Sequence, residues 1–124
     1  MRSSTRASAE GVTFLQVSEA AVKLPEVEIS KSYGTPALKV HGKVLARLKE
    51  DGQTLVLRTE FVSRQILMQA DPDTFFITDH YRDYPLVLVS LPKLARSALP
   101  DLVERAWRQV APPSLIARFD AAHP

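Results

Sequence analysis

Asp51-Gly52, set between two stretches in which apolar and charged residues alternate, restricts the fold of this chain more than any other feature. A tight type I′ hairpin turn needs positive φ at both central residues, and Asp-Gly supplies this at little cost. Before the pair, Val44, Ala46 and Leu48 alternate with Leu45, Arg47 and Lys49; after it, Leu55 and Leu57 alternate with Val56 and Arg58. A two-residue turn sets Leu48 opposite Leu55, Arg47 opposite Val56 and Ala46 opposite Leu57. Ala46, Leu48, Leu55 and Leu57 then share an inner face. Arg47, Lys49 and Arg58 share the outer one, with Leu45 and Val56 as apolar residues among the outer charges.

A further strand precedes this hairpin, because Leu38 and Val40 alternate with Lys39 before the corner His41-Gly42-Lys43. A two-residue turn there sets Val40 opposite Lys43 and mixes the faces. A loop with an odd number of residues keeps Leu38 and Val40 inside and Lys39 outside beside Arg47, and is the expected solution. The rest of the chain is punctuated by helix signals. Thr13 with Gln16 matches a capping box, and Val12 with Val17 a hydrophobic staple. They open a helix that buries Phe14, Val17, Ala21 and Leu24 and stops at Pro25. Ser63 is the expected cap of a second helix that turns Ile66, Leu67 and Ala70 inward. Residues 74–78 (TFFIT) and 86–91 (LVLVSL) read as strands. Leu99, Leu102, Val103, Ala106, Trp107 and Val110 form the stripe of an amphipathic helix, followed by a short one from Pro113 to about Ala121. Strands that alternate, instead of being apolar throughout, belong to an antiparallel sheet covered on one side. The predicted class is therefore α+β: a five-stranded antiparallel sheet with helices on one face. Its order is helix, three strands, helix, two strands, then one or two helices. Residues 1–11 are expected to be a flexible extension and residues 12–124 a single domain.

The absence of cysteine excludes disulfides and thiolate zinc sites and suits a reducing cytoplasm, the expected location. No apolar run is long enough to span a membrane, and none follows the opening MRSSTRAS. Although the formal net charge is +2, removing Arg2 and Arg6 brings it to zero, so charge placement matters more than its sum. Residues 31–58 hold six basic and two acidic groups. Lys31, Lys39, Lys43, Arg47, Lys49 and Arg58 are thus the candidate phosphate contacts. Alternate side chains on a strand stand roughly 6.8 Å apart, so Arg47 and Lys49 can reach separate phosphates while Lys39 and Arg58 flank them. An ordinary solvated sheet face has the same pattern, and the residues alone leave both readings open.

Two loops carry the remaining chemistry. Ser32, Tyr33 and Thr35, around Gly34 and before Pro36, either carry the chain into the sheet or wall a shallow pocket where the ring stacks on a base. Asp79, His80, Tyr81 and Arg82 hold ingredients of acid–base chemistry and anion binding, but no nucleophile accompanies them. His41, His80 and His123 lack metal-ligand spacing, so no metal, no cofactor and no enzymatic activity are expected. An Asp-Arg network that ties down the loop is the competing reading for residues 79–82. The partners expected are DNA, through backbone contacts of low specificity, or a protein or peptide bound by the apolar outer residues. A membrane is not expected, and the chain should be a monomer or weak dimer.

Three separated blocks, LPEVEISKSYGTPALKVHGKVLARLKEDG, FFITDHYRDYPLVLVSL and AWRQVAPPSL, resemble the MmcQ/YjbR-like family in sequence and order. The resemblance implies a topology similar to secretion-chaperone-like folds. It also implies a predicted DNA-binding role attributed to a "double-wing" motif, in which β-hairpins present Lys and Arg to phosphates.

Overall fold

The computed structural model describes residues 11–124. Helix α1 (Phe14–Ala21) is opened by the capping box, with the Gln16 N–H donating to Thr13 Oγ1 and the Thr13 N–H to Gln16 Oε1. Strands β1 (Val27–Ser32), β2 (Thr35–Val40), β3 (Lys43–Leu48) and β4 (Thr54–Arg58) follow, then helix α2 (Phe61–Ala70). The short β5 (Phe75–Phe76), a 3-10 turn at Asp79–Tyr81, and β6 (Leu86–Ser90) lead to helices α3 (Leu99–Val110) and α4 (Pro113–Ala122). The sheet is antiparallel with order β1-β2-β3-β4-β6-β5.

The α+β class and the helices on one face are as expected, but the sheet has six strands, not five. The additional one is β1, an edge strand. Its Ile29 is 63% exposed and its charges are those that protect an edge, so it reads as a polar linker. The expected strand at 74–78 shortens to two residues, because the chain enters the 3-10 turn directly after Thr78.

The corners differ from expectation in an instructive way. Tyr33-Gly34 and His41-Gly42 each have positive φ at both positions (55° and 81°, 50° and 82°) and join strands paired up to the turn, as type I′ geometry requires. His41-Gly42 is therefore a two-residue turn and not an odd loop, with Val40 opposite Lys43. A bulge corrects the faces instead. Lys39 pairs with Val44 but Leu38 with Ala46, so Leu45 is the extra residue and, with Ala46, turns into the core. Leu45 is fully buried, correcting its expected place on the outer face.

At Asp51-Gly52 only Gly52 has positive φ, and the loop is longer than two residues. The expected pairing survives because the extra residues are added symmetrically: Ala46 opposes Leu57, Arg47 Val56 and Leu48 Leu55. The Asp51 carboxylate accepts from the N–H groups of Gln53 and Thr54 and from the Thr54 hydroxyl. The Gln53 amide first, then the Thr54 hydroxyl and amide, hold its carboxyl below the ordinary carboxylate range. A group depressed in this way stabilises the fold above its unfolded pKa, and that contribution is lost as pH falls through the lower folded value. Asp51→Ala is expected to cost about 1 kcal/mol at neutral pH. In denaturant titrations at several pH values, the gap to wild type should close on acidification below about pH 4.

The core lies between the inner sheet face and the helices. Leu38, Val40, Leu55, Leu57, Val87 and Val89 meet Val17 and Ala21 of α1 and the apolar stripe of α3. Trp107 is fully buried, and its Nε1–H donates to the Pro25 carbonyl at 2.9 Å. Helix α4 adds Leu115 and is held to α3 by the Arg108 guanidinium on the Asp120 carboxylate. Gly11 is docked, its N–H donating to Leu94 O; the rest of the expected extension, residues 1–10, lies outside the described residues.

Helix α2 begins two residues before the expected cap, and Ser63 makes no cap bond. Its inward stripe is Arg64, Leu67 and Met68, whereas Ile66 is 61% exposed and Ala70 also faces solvent. An arginine on the inward stripe breaks the apolar period, which is why the register was misread. Among the described residues no helix is long and apolar enough to cross a membrane.

Candidate functional site

On the sheet face away from the helices, the two loops singled out by sequence converge. A cleft of about 630 Å3 lies between the Tyr33-Gly34 turn and the segment 78–86, lined among others by Tyr33, Arg47, Glu50, His80, Tyr81 and Tyr84. Ser32 also borders it, and Val56 contributes to its floor. Val56 is buried because this segment lies over the face expected to be open; Leu88, flanked by Val56 on one side and Phe76 on the other, is buried as well. The two apolar outer residues that favoured peptide binding are thus both withdrawn from solvent.

Arg47 is the centre of the site. Its side chain is 11% exposed, and its Nη1 donates to Thr35 Oγ1 (3.2 Å) and its Nη2 to the Tyr81 hydroxyl (3.2 Å). The guanidinium also lies 5.4 Å from the centre of the Tyr33 ring, a cation–π distance. The carboxylate paired with it is that of the exposed Glu50, at 3.7 Å, so the cation is satisfied mainly by neutral oxygens. Lys49 stands over the Tyr81 ring at 5.5 Å.

Tyr33 is 88% exposed at φ 55°. The left-handed conformation costs a residue with a Cβ roughly 1–2 kcal/mol, which is why Asn or Gly is usual at this turn position. A bulky ring held there in solvent does little for the fold.

The segment 78–86 has its own anchor, which sequence reasoning missed. From α2, Arg64 donates to the carbonyls of Tyr84 (3.0 Å), Arg82 (3.0 Å), Leu86 (3.2 Å) and Tyr81 (3.5 Å). Its only sequence signal was the interrupted apolar stripe. The Asp79–Arg82 pair forms within the segment, as in the loop-tying reading. Asp79 therefore does not orient His80, whose ring sits edge-on to Tyr81 at 4.7 Å. The three histidines occupy different places: His41 binds Glu26, His80 borders the cleft and His123 stacks on Phe119. Among the described residues no three potential metal ligands converge.

The expected cations divide between the two faces. Ladder partners share a side, so Lys39, opposite Glu28 and Val44, lies on the cleft side with Arg47, Lys49 and Arg58. Lys31 opposes Pro36 and Lys43 opposes Val40, which puts both on the helix side. Among the described residues Lys39, Lys49 and Arg58 form no ion pair with a carboxylate.

The YjbR family model matches residues 22–109, a span that runs from the end of α1 through most of α3. Uncharacterized proteins of Mycobacterium tuberculosis and Mycobacterium bovis are each 36% identical over 53 residues, covering 43% of this chain. The match spans only 41% of the length of these curated relatives. The crystal structure of Deinococcus radiodurans protein DR2400, with a DUF419 domain, superposes with a TM-score of 0.65. It is 19% identical, with 77% of this chain and 75% of that chain covered, a likeness of fold.

Proposed function

The chain belongs to the YjbR family, and on that premise we propose that it binds DNA through the phosphate backbone, using the sheet face opposite the helices. The observation that carries this reading is charge placement. Among the described residues Lys39, Lys49 and Arg58 stand on that face without an ion pair to a carboxylate, around an Arg47 that donates to the Thr35 and Tyr81 hydroxyls and has the exposed Glu50 carboxylate 3.7 Å away. Cations on and beside three neighbouring strands have the sign, and the separation of strand positions, to meet more than one phosphate. Contacts of this kind set affinity and orientation, not sequence preference.

Counterion release makes the reading testable. If three to four phosphates are neutralised, affinity for duplex DNA is expected to fall roughly 40- to 150-fold between about 50 and 200 mM salt. Lys49→Ala should reduce the slope of log affinity against log salt by about one. Binding indifferent to salt, or an unchanged slope in the variant, would remove this face from consideration. The small-molecule alternative at Tyr33, His80 and Arg82 is narrowed by geometry: Tyr33 and His80 border one cleft, while Arg82 pairs with Asp79 and does not line it.

A further inference from the structure

We infer that the cleft accepts an unstacked base, so that the preferred ligand of this face is single-stranded nucleic acid. The inference rests on the backbone-binding reading and adds to it the form of the nucleic acid. Three observations point the same way. Tyr33 offers its ring to solvent from a left-handed backbone position that folding alone does not favour, the kind of local strain that collects at binding sites. Its ring stands 5.4 Å from the Arg47 guanidinium, so a stacking surface and a cation are presented together. The cleft, about 630 Å3, is within the range of sites that enclose a small ligand, and His80, Tyr81 and Tyr84 give it further aromatic walls.

Charge complementarity selects the occupant. A largely buried guanidinium whose close hydrogen bonds go to two hydroxyls, with the exposed Glu50 carboxylate 3.7 Å away, draws an anion, and the aromatic walls draw a planar ring; a nucleotide unit joins the two. In a duplex the bases are stacked on one another, and only phosphates meet the protein unless a groove is entered. Single strands can splay a base onto an aromatic side chain. The acidic tip of the β3–β4 hairpin strengthens the distinction. Glu50 borders the cleft, and Asp51, kept ionised by its hydrogen bonds to Gln53 and Thr54, follows it. A rigid duplex laid over the face brings further phosphates towards these carboxylates, whereas a flexible strand can bend away from them.

The test is fluorescence anisotropy at low salt with a labelled oligothymidylate, a duplex of equal length, and an abasic strand with the same phosphates. The single strand is expected to bind more tightly than the duplex. Tyr33→Asn, whose side chain tolerates the left-handed turn, should weaken single-strand binding roughly 5- to 150-fold and duplex binding by a clearly smaller factor. The abasic strand should lose a similar factor with the wild-type protein, which keeps the test decisive if the variant does not fold. Duplex binding as tight as single-strand binding overturns the inference while leaving the backbone reading in place. So does an abasic strand bound as well as the intact one, or a variant that weakens both forms equally. Retention of neither form at low salt overturns the inference and the backbone reading together.

Discussion

Replacing Trp107 with alanine is expected to lower the unfolding free energy by about 4 kcal/mol, the largest loss predicted for any single side chain here. The indole is fully buried and packs beside Phe119 of α4, ring centres 5.0 Å apart. It also ties α3 to the connection between α1 and β1 through the Pro25 carbonyl. Alanine therefore leaves a cavity where three segments meet, and takes away the donor that satisfies a part-buried acceptor. Native domains of this size keep only about 5–15 kcal/mol in hand, so the variant should remain folded at 25 °C but denature at a much lower urea concentration. Trp107→Phe retains most of the apolar volume and loses the hydrogen bond; about 1–2 kcal/mol is expected. A loss below about 2 kcal/mol for the alanine variant, in urea titrations followed by circular dichroism, would contradict a core closed by this residue.

The features that sequence made legible are those in which local chemistry and tertiary burial agree. The Thr13/Gln16 box forms as read, and α3 buries every apolar residue assigned to its stripe. The pairing of β3 with β4 was read correctly through the wrong turn, since the inward placement of Leu48, Leu55 and Leu57 tolerates any loop that preserves parity. What stayed hidden were conformations that oppose the propensity of their residues. Tyr33 and His41 adopt positive φ despite their side chains, so the two tight turns formed at Tyr-Gly and His-Gly while Asp-Gly took a longer loop. The bulge at Leu45 is a response to the face conflict set by the His41-Gly42 turn and has no sequence mark of its own.

The candidate site was legible in its parts and not in its assembly. Ser32, Tyr33, His80 and Tyr81 were singled out as two separate loops, and Arg47 as one of a row of exposed cations. Their convergence depends on the segment 78–86 folding back across the sheet, a matter of contacts distant in sequence. For the same reason Arg47 reads as solvated in the sequence and is 11% exposed in the fold.

Arg64 is the expected anchor of that folding back, and Arg64→Met tests it. Methionine keeps the helical propensity and most of the apolar stem, but the carbonyls of Tyr81, Arg82, Tyr84 and Leu86 lose a common donor. Hydrogen bonds from a charged group contribute about 1.5–3 kcal/mol. Several of these carbonyls can turn to water when released, so a loss of about 2–3 kcal/mol is expected, confined largely to this segment. Amide hydrogen exchange should then accelerate across residues 78–86 while β3 and α3 keep their protection. With the segment loosened, Tyr81 no longer holds the Arg47 guanidinium from above, and the cleft loses the wall that faces Tyr33. Binding of a single strand should weaken, although Arg64 itself does not line the cleft. Unchanged exchange in residues 78–86 would mean that the segment is held by its tyrosines on the sheet, and that Arg64 merely follows it.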